Sequence, residues 1–113
     1  MHKVFKMKFA DLYDCYIQKV ERKSRTIEEL NEVLNWFAGL DKKSLNQLLK
    51  SDTDLEEFFD QTTLNPNAEL ITGTICGVKI QEIEDPLMKK IRYLDKLVDE
   101  LAKGRPLEKI KRS

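Results

Sequence analysis

Apolar residues recur at helical spacing along most of the chain. In the first such stretch, positions 9, 12, 13, 16, 17 and 20 follow the i, i+3, i+4, i+7 series and therefore share one face of a helix. The residues on this face are Phe9, Leu12, Tyr13, Tyr16, Ile17 and Val20. The pattern predicts an amphipathic helix that packs this face against a core.

Capping signals predict three further helices in the first half of the chain. Thr26 followed by Glu29 has the spacing of a capping box, and Thr53 with Glu56 repeats it. Asp41 can cap a short helix between these two. Only a few residues link these helices, so neighbouring helices are expected to pack against one another.

A fifth helix is predicted to start at Asn65 and Pro66, because Asn is a good cap and Pro suits the first turn. We expect it to extend to about Cys76. Gly73 and Gly77 would then share a face, where the lack of side chains permits close approach of another helix. In residues 78–80, as in residues 5–9, apolar and Lys residues alternate, so these two segments could form a short β pairing if it packs on helices.

A long final helix is predicted after Asp85 and Pro86. Its apolar residues alternate four and three apart, and they are Leu87, Ile91, Leu94, Val98 and Leu101. Gly104 and Pro106 are expected to end it, leaving a flexible basic C-terminal tail from about residue 104. The expected fold is all-α: a compact bundle of five or six helices in a single domain, residues 1–113, with or without the short two-stranded β pairing.

Composition and charge narrow the class of protein. Basic and acidic residues number 20 each, so no overall charge draws the chain to nucleic acid. The charges are uneven, because both ends are basic and residues 26–60 are acidic. Apolar runs fall far short of the roughly 20 residues of a membrane span, and no apolar block of a secretory signal is present near the N-terminus. We expect a cytoplasmic protein that does not contact a membrane.

Catalytic and metal-binding chemistry has few candidate residues. His2 is the single histidine, so neither a Ser/His/Asp arrangement nor a His-based metal site can be assembled from ordered positions. Cys15 and Cys76 do not form a CxxC motif and are expected to be buried small apolar residues. We therefore expect no catalytic residue, cofactor or metal ion.

Three segments carry a family resemblance: the run NPNAELITGTICGVKI with the following EIEDP (residues 65–86), the helix of residues 87–101, and residues 16–39. Together they resemble an uncharacterised family of small bacterial proteins, domain of unknown function 2200. The resemblance extends over nearly the whole chain. It implies no particular activity and no site residue.

The favoured function is a non-catalytic protein-interaction or regulatory module. The expected partner is a protein, with a second copy of the chain among the candidates. A pocket that combines Arg92 and Tyr93 with the turn at Asn65 and Asn67 could bind a small anion. Nothing in the spacing requires such a pocket. An enzymatic role ranks third, behind the interaction module and nucleic-acid binding.

The alternative function is nucleic-acid binding. A helix, the turn at Gly77 and a second helix would resemble a helix-turn-helix, with Lys89, Lys90 and Arg92 near the start of the second helix. The neutral net charge disfavours this alternative, because affinity for nucleic acid depends on phosphate neutralisation. It would be supported if the basic residues of the two ends met on one face. These residues are Lys19, Arg22, Lys23, Arg25, Lys103, Arg105, Lys109 and Arg112.

Overall fold

The computed structural model describes residues 3–75 and 77–112, with only the backbone described for residues 3 and 4. Six α-helices lie in these ranges: α1 (Phe9–Arg22), α2 (Ile27–Ala38), α3 (Lys42–Leu49), α4 (Leu55–Gln61), α5 (Pro86–Ala102) and α6 (Leu107–Ile110). Two short strands, β1 (Thr74–Ile75) and β2 (Val78–Lys79), form an antiparallel pair. The prediction of an all-α bundle with a short β pairing is confirmed.

Helix α5 lies at the centre of the fold and contacts α1, α2, α4, α6 and β1. Its predicted apolar stripe is buried from Ile91 onward, and Leu94 is fully buried. Tyr93 and Leu97 are buried as well, because α5 has neighbours on several sides rather than one. The stripe of α1 is also buried except for Ile17, which is partly exposed.

The predicted caps are correct for α2 and α3 and wrong for α4. Both hydrogen bonds of the box between Thr26 and Glu29 form at the start of α2. At the start of α4 the box joins Asp54 and Glu57, one residue later than predicted. The Thr53 carbonyl instead accepts a hydrogen bond from the Phe9 amide at 2.9 Å. Pairing with the N-terminal segment therefore holds Thr53 outside the helix.

The predicted helix from residue 65 to residue 76 is wrong. Pro66 opens only a 3-10 turn, Pro66–Leu70, and the chain then enters β1. Gly73 and Gly77 have φ values of +110° and +78°, which a continuous right-handed helix cannot contain. The two glycines therefore shape the turns around a hairpin and do not form a helix-packing face.

The β pairing joins different segments from those predicted. Thr74 lies opposite Lys79 and Ile75 lies opposite Val78, so β2 pairs with the strand just before it. The N-terminal segment instead makes an isolated antiparallel bridge between Lys8 and Asp54. A two-residue hairpin connection requires far less loop closure than a pairing across some 70 residues of chain.

Residues 104–112 form the segment for which the sequence predicts a flexible basic tail. Leu107–Ile110 forms the short helix α6, and Ile110 is fully buried. Arg112 donates to both carboxylate oxygens of Glu100, at 2.7 and 2.8 Å. The segment is therefore part of the packed fold as far as residue 112.

Candidate functional site

A cavity of about 470 Å³ lies between residues 62–69 and the first turns of α5. We refer to it as the loop–helix groove. One wall consists of Thr62, Thr63, Leu64, Asn65, Pro66, Ala68 and Glu69, and the other of Pro86, Lys89, Lys90 and Tyr93. The volume lies within the range of about 300 to 1,000 Å³ that is usual for ligand sites.

Hydrogen bonds from Asn65 fix the loop wall of the groove. Its side-chain Nδ2 donates to the Trp36 carbonyl at 3.2 Å, and its backbone amide donates to the Phe37 carbonyl at 2.9 Å. Its Oδ1 accepts from the Asn67 amide at 2.9 Å, which starts the 3-10 turn. A single residue thereby joins the loop to the end of α2.

A cap fixes the helix wall of the groove. The Asp85 side chain accepts hydrogen bonds from the amides of Leu87 and Met88, at 2.9 and 3.0 Å. Pro86 follows as the first residue of α5, where its lack of an amide proton leaves no donor unpaired. Hydrogen bonds thus hold both walls, and the groove is a formed feature of the fold.

Two lysines in the groove lack partners. Seven Lys and Arg side chains are partly buried among the described residues. Five of them bond to an acceptor in the chain: Arg25, Arg92, Lys96, Lys111 and Arg112. The side chains of Lys89 and Lys90 make no ion pair or hydrogen bond within the described part of the chain, and both line the groove. Two partly buried positive charges therefore face one cavity without a carboxylate partner.

The structure brings together two of the four residues predicted for an anion site. Asn65 and Tyr93 both line the groove, whereas Asn67 and Arg92 do not. Arg92 precedes Tyr93 on α5, and because successive residues are rotated by about 100° around the helix axis, it points to another side of the helix. Its guanidinium donates to Asp95 at 3.0 Å.

The Arg92 side of α5 belongs to the interior contact with α1. The Tyr16 hydroxyl donates a hydrogen bond to Asp95 there. Burial of the hydroxyl, reinforced by the negative charge of Asp95, raises the pKa of Tyr16 well above its usual value. Tyr16 therefore stays a neutral donor, and this cluster holds α1 against α5.

Comparison with known proteins identifies the family of the chain. Residues 3–112 match the bacterial family described as "Uncharacterized protein conserved in bacteria (DUF2200)". The chain belongs to this family. A crystal structure described as that of "uncharacterized protein SP1917" is similar, with a TM-score of 0.90 and 43% identity over 97% of this chain and 91% of that one. No curated protein sequence matches the chain significantly.

In this member of DUF2200, the two basic ends of the chain meet. Arg25 donates to the Arg105 carbonyl at 2.9 Å, and Lys19 and Lys103 both bind Asp99, at 3.4 and 3.0 Å. We refer to Lys19, Arg22, Lys23, Arg25, Lys103, Arg105, Lys109 and Arg112 as the basic end. The nucleic-acid alternative would be supported if the basic residues of the two ends met on one face. These direct contacts support that condition.

Carboxylates within the basic end reduce its positive charge. Burial acts to raise the pKa of Asp99, but the hydrogen bonds and charges of Lys103 and Lys19 outweigh it and hold that pKa below its usual value. The Arg25 guanidinium, through its hydrogen bond, likewise lowers the pKa of Glu29. The C-terminal ends of α1 and α5, where the helix dipoles are negative, also lie here. Part of the basic character therefore serves the fold itself.

The other residues considered for catalysis or metal binding are the two cysteines and His2. Cys15 is exposed rather than buried as predicted, because it lies beside the apolar stripe of α1 and not on it. Cys76 and His2 lie outside the described residues. Within the described ranges, no three His, Cys, Asp or Glu side chains are grouped to hold a metal ion, and no helix is long and apolar enough to cross a bilayer.

Proposed function

We propose that the protein is a small, cytoplasmic, non-catalytic interaction module, and that the loop–helix groove binds an acidic, extended segment of a partner protein. The observation that carries this proposal is the pair Lys89 and Lys90. Both are partly buried and line one cavity, and neither has a carboxylate partner among the described residues.

Removing an ammonium group from water costs free energy. A partly buried charge loses part of its hydration, and a nearby carboxylate compensates for the loss. The remaining partly buried cationic side chains in the described ranges receive this compensation from acceptors in the chain. A carboxylate of a ligand placed between Lys89 and Lys90 would supply it in the groove.

The loop wall favours an extended ligand. Thr62 has extended backbone dihedrals, and residues 62–65 belong to no helix or strand. Thr63 and Leu64 make no backbone hydrogen bond within the described ranges. Free amide and carbonyl groups along an extended segment can pair with a second extended segment, as in strand-addition complexes. A peptide uses these groups better than a compact anion does.

We expect the double variant Lys89→Gln/Lys90→Gln to bind peptide ligands at least about tenfold more weakly, because it removes both positive charges from the groove. Ligands would be selected from a displayed random-peptide library on the immobilised wild-type protein. The dissociation constants of the enriched peptides would then be measured by fluorescence polarisation.

The matched control is Lys42→Gln/Lys43→Gln, which makes the same charge change at two adjacent exposed lysines of α3. It should leave binding unchanged. The proposal fails if both double variants weaken binding equally, if the enriched peptides carry no acidic residue, or if the library yields no binder.

Nucleic-acid binding is the second candidate function, and the contact between Arg25 and Arg105 favours it. A helix-turn-helix motif does not support nucleic-acid binding, because the segment before Gly77 forms a 3-10 turn and a strand instead of a helix. What remains is a basic surface suited to phosphates without base recognition.

The interaction-module proposal predicts no specific binding of duplex DNA at about 150 mM salt, near physiological ionic strength. The carboxylates of Asp99, Glu100 and Glu29 lie among the basic side chains and oppose phosphate binding. The measurement is a titration of labelled duplex followed by competition with an unrelated sequence. Submicromolar affinity that survives competition, and that Arg22→Gln/Lys23→Gln removes, would make nucleic-acid binding the leading function.

A further inference from the structure

We infer that the groove recognises a two-part peptide pattern, in which an acidic residue and a bulky apolar residue are separated by one residue. The acidic side chain lies at Lys89 and Lys90, and the apolar side chain occupies a second, smaller pocket. This inference rests on the proposed function, because it specifies the ligand of the same groove.

The smaller pocket adjoins the groove. It has a volume of about 190 Å³ and is lined by Glu56, Phe59, Asp60, Pro86, Leu87 and Lys90. Pro86 and Lys90 line both cavities, so the two cavities are neighbours with Lys90 at their boundary. The volume is below the range of about 300 to 1,000 Å³ that whole ligands occupy. It suits a single side chain of a longer ligand.

The chemistry of the smaller pocket favours an apolar side chain. Phe59 is 2% exposed, and with Leu87 and Pro86 it forms an apolar lining. The acidic groups nearby are Glu56, which accepts a hydrogen bond from Lys6 at 2.8 Å, and Asp60, which has no ion pair within the described residues. These two carboxylates would repel an acidic side chain. The acidic and apolar parts of a ligand are therefore sorted between the two cavities.

The spacing of the pattern follows from helix and strand geometry. Leu87 and Lys90 lie three residues apart on α5, about 4.5 Å along the helix axis. Side chains on one face of an extended peptide recur every second residue, about 6.6 Å apart. Because successive side chains of an extended peptide point to opposite faces, the nearest two that can enter neighbouring cavities belong to residues i and i+2. The intervening side chain points away from the groove.

The test uses synthetic peptides that bind the wild-type protein. In each, the acidic residue is replaced by its amide, the apolar residue by Ala, and the intervening residue by Ala. We expect the first two replacements to weaken binding by about tenfold or more each, and the third to have no effect.

Variants of the protein assign the two subsites. Leu87→Ala should weaken binding of the parent peptide but not of the peptide that already carries Ala at the apolar position. Asp60→Lys should let the smaller pocket accept an acidic residue in place of the apolar one. Thermal melting followed by circular dichroism establishes that each variant is folded. Because Asp60 is exposed, the Asp60→Lys variant tests the inference even if Leu87→Ala does not fold.

The outcomes separate this inference from the proposed function. If no peptide binds, the proposed function fails and the inference with it. If acidic peptides bind through Lys89 and Lys90 but tolerate Ala at every apolar position, the two-part pattern is wrong and the proposed function stands. The two-part pattern is also contradicted if the Asp60→Lys variant still prefers an apolar residue to an acidic one at the apolar position of the peptide.

Discussion

Replacing Leu94 by Ala is expected to lower the free energy of unfolding by about 2 to 5 kcal/mol. Leu94 is fully buried near the middle of α5, and α5 is contacted by α1, α2 and α4. Because several helices enclose the site, the surrounding side chains cannot collapse fully into the space left by the missing atoms. Chemical denaturation of the two proteins measures the difference.

The control is Gln18→Ala, an exposed position on α1 whose side chain makes no hydrogen bond within the described ranges, where we expect a change below about 0.5 kcal/mol. Lys96 also lies off the apolar stripe of α5, but Lys96→Ala is unsuitable as a control. Its Nζ donates to the Thr74 carbonyl at 3.3 Å, and its Cε lies 3.3 Å from the position that a Cβ of Gly73 would occupy. Equal costs for Leu94→Ala and Gln18→Ala would mean that α5 buries a different face.

Helices whose starts and buried faces are encoded locally could be predicted from the sequence. In α2, Thr26 and Glu29 form the cap within four residues of each other, so no distant contact is needed. In α5, Asp85 and Pro86 act in the same local way. The six-residue stripe of α1 was sufficient to identify its buried face, because helical periodicity by itself places those side chains together.

The segment after Pro66 could not be predicted in this way. Its first residues carry a correct helix-start signal, yet the helix lasts for a single 3-10 turn. The positive φ values of Gly73 and Gly77 and the hydrogen bond from Lys96 to Thr74 favour a hairpin on α5. Lys96 and Thr74 lie 22 positions apart, so a local sequence pattern does not contain their contact.

The groove could be predicted only in part for a similar reason. Asn65 and Tyr93 were expected to be near each other, and they do line one cavity. Lys89 and Lys90 were not expected in this pocket, although they precede Tyr93 by four and three residues and so share its side of α5. Whether a lysine has a partner depends on which carboxylates the fold brings near it, and the sequence alone does not reveal that.

Replacing Arg112 by Ala is expected to lower the free energy of unfolding by about 1.5 to 3 kcal/mol. Glu100 is only 6% exposed, and Arg112 donates to both of its carboxylate oxygens. Without Arg112, Arg105 is the one cationic partner that this buried carboxylate keeps among the described residues, at 3.2 Å and half exposed to water. Since Arg112 also donates to the Ile110 carbonyl, its loss should loosen α6 from α5. Chemical denaturation measures the change.

Lys109→Ala is the matched control, because Lys109 is exposed on α6 and has no ion pair within the described residues. It should lower the free energy of unfolding by less than about 0.5 kcal/mol. A double-mutant cycle with Glu100→Gln isolates the pair itself, and a coupling of about 1 kcal/mol or more is expected for groups in contact. If Arg112→Ala costs no more than Lys109→Ala, the ion pair contributes nothing to folding. In that case the C-terminal segment behaves in solution as the flexible tail that its composition predicts, and the basic end is not a fixed surface.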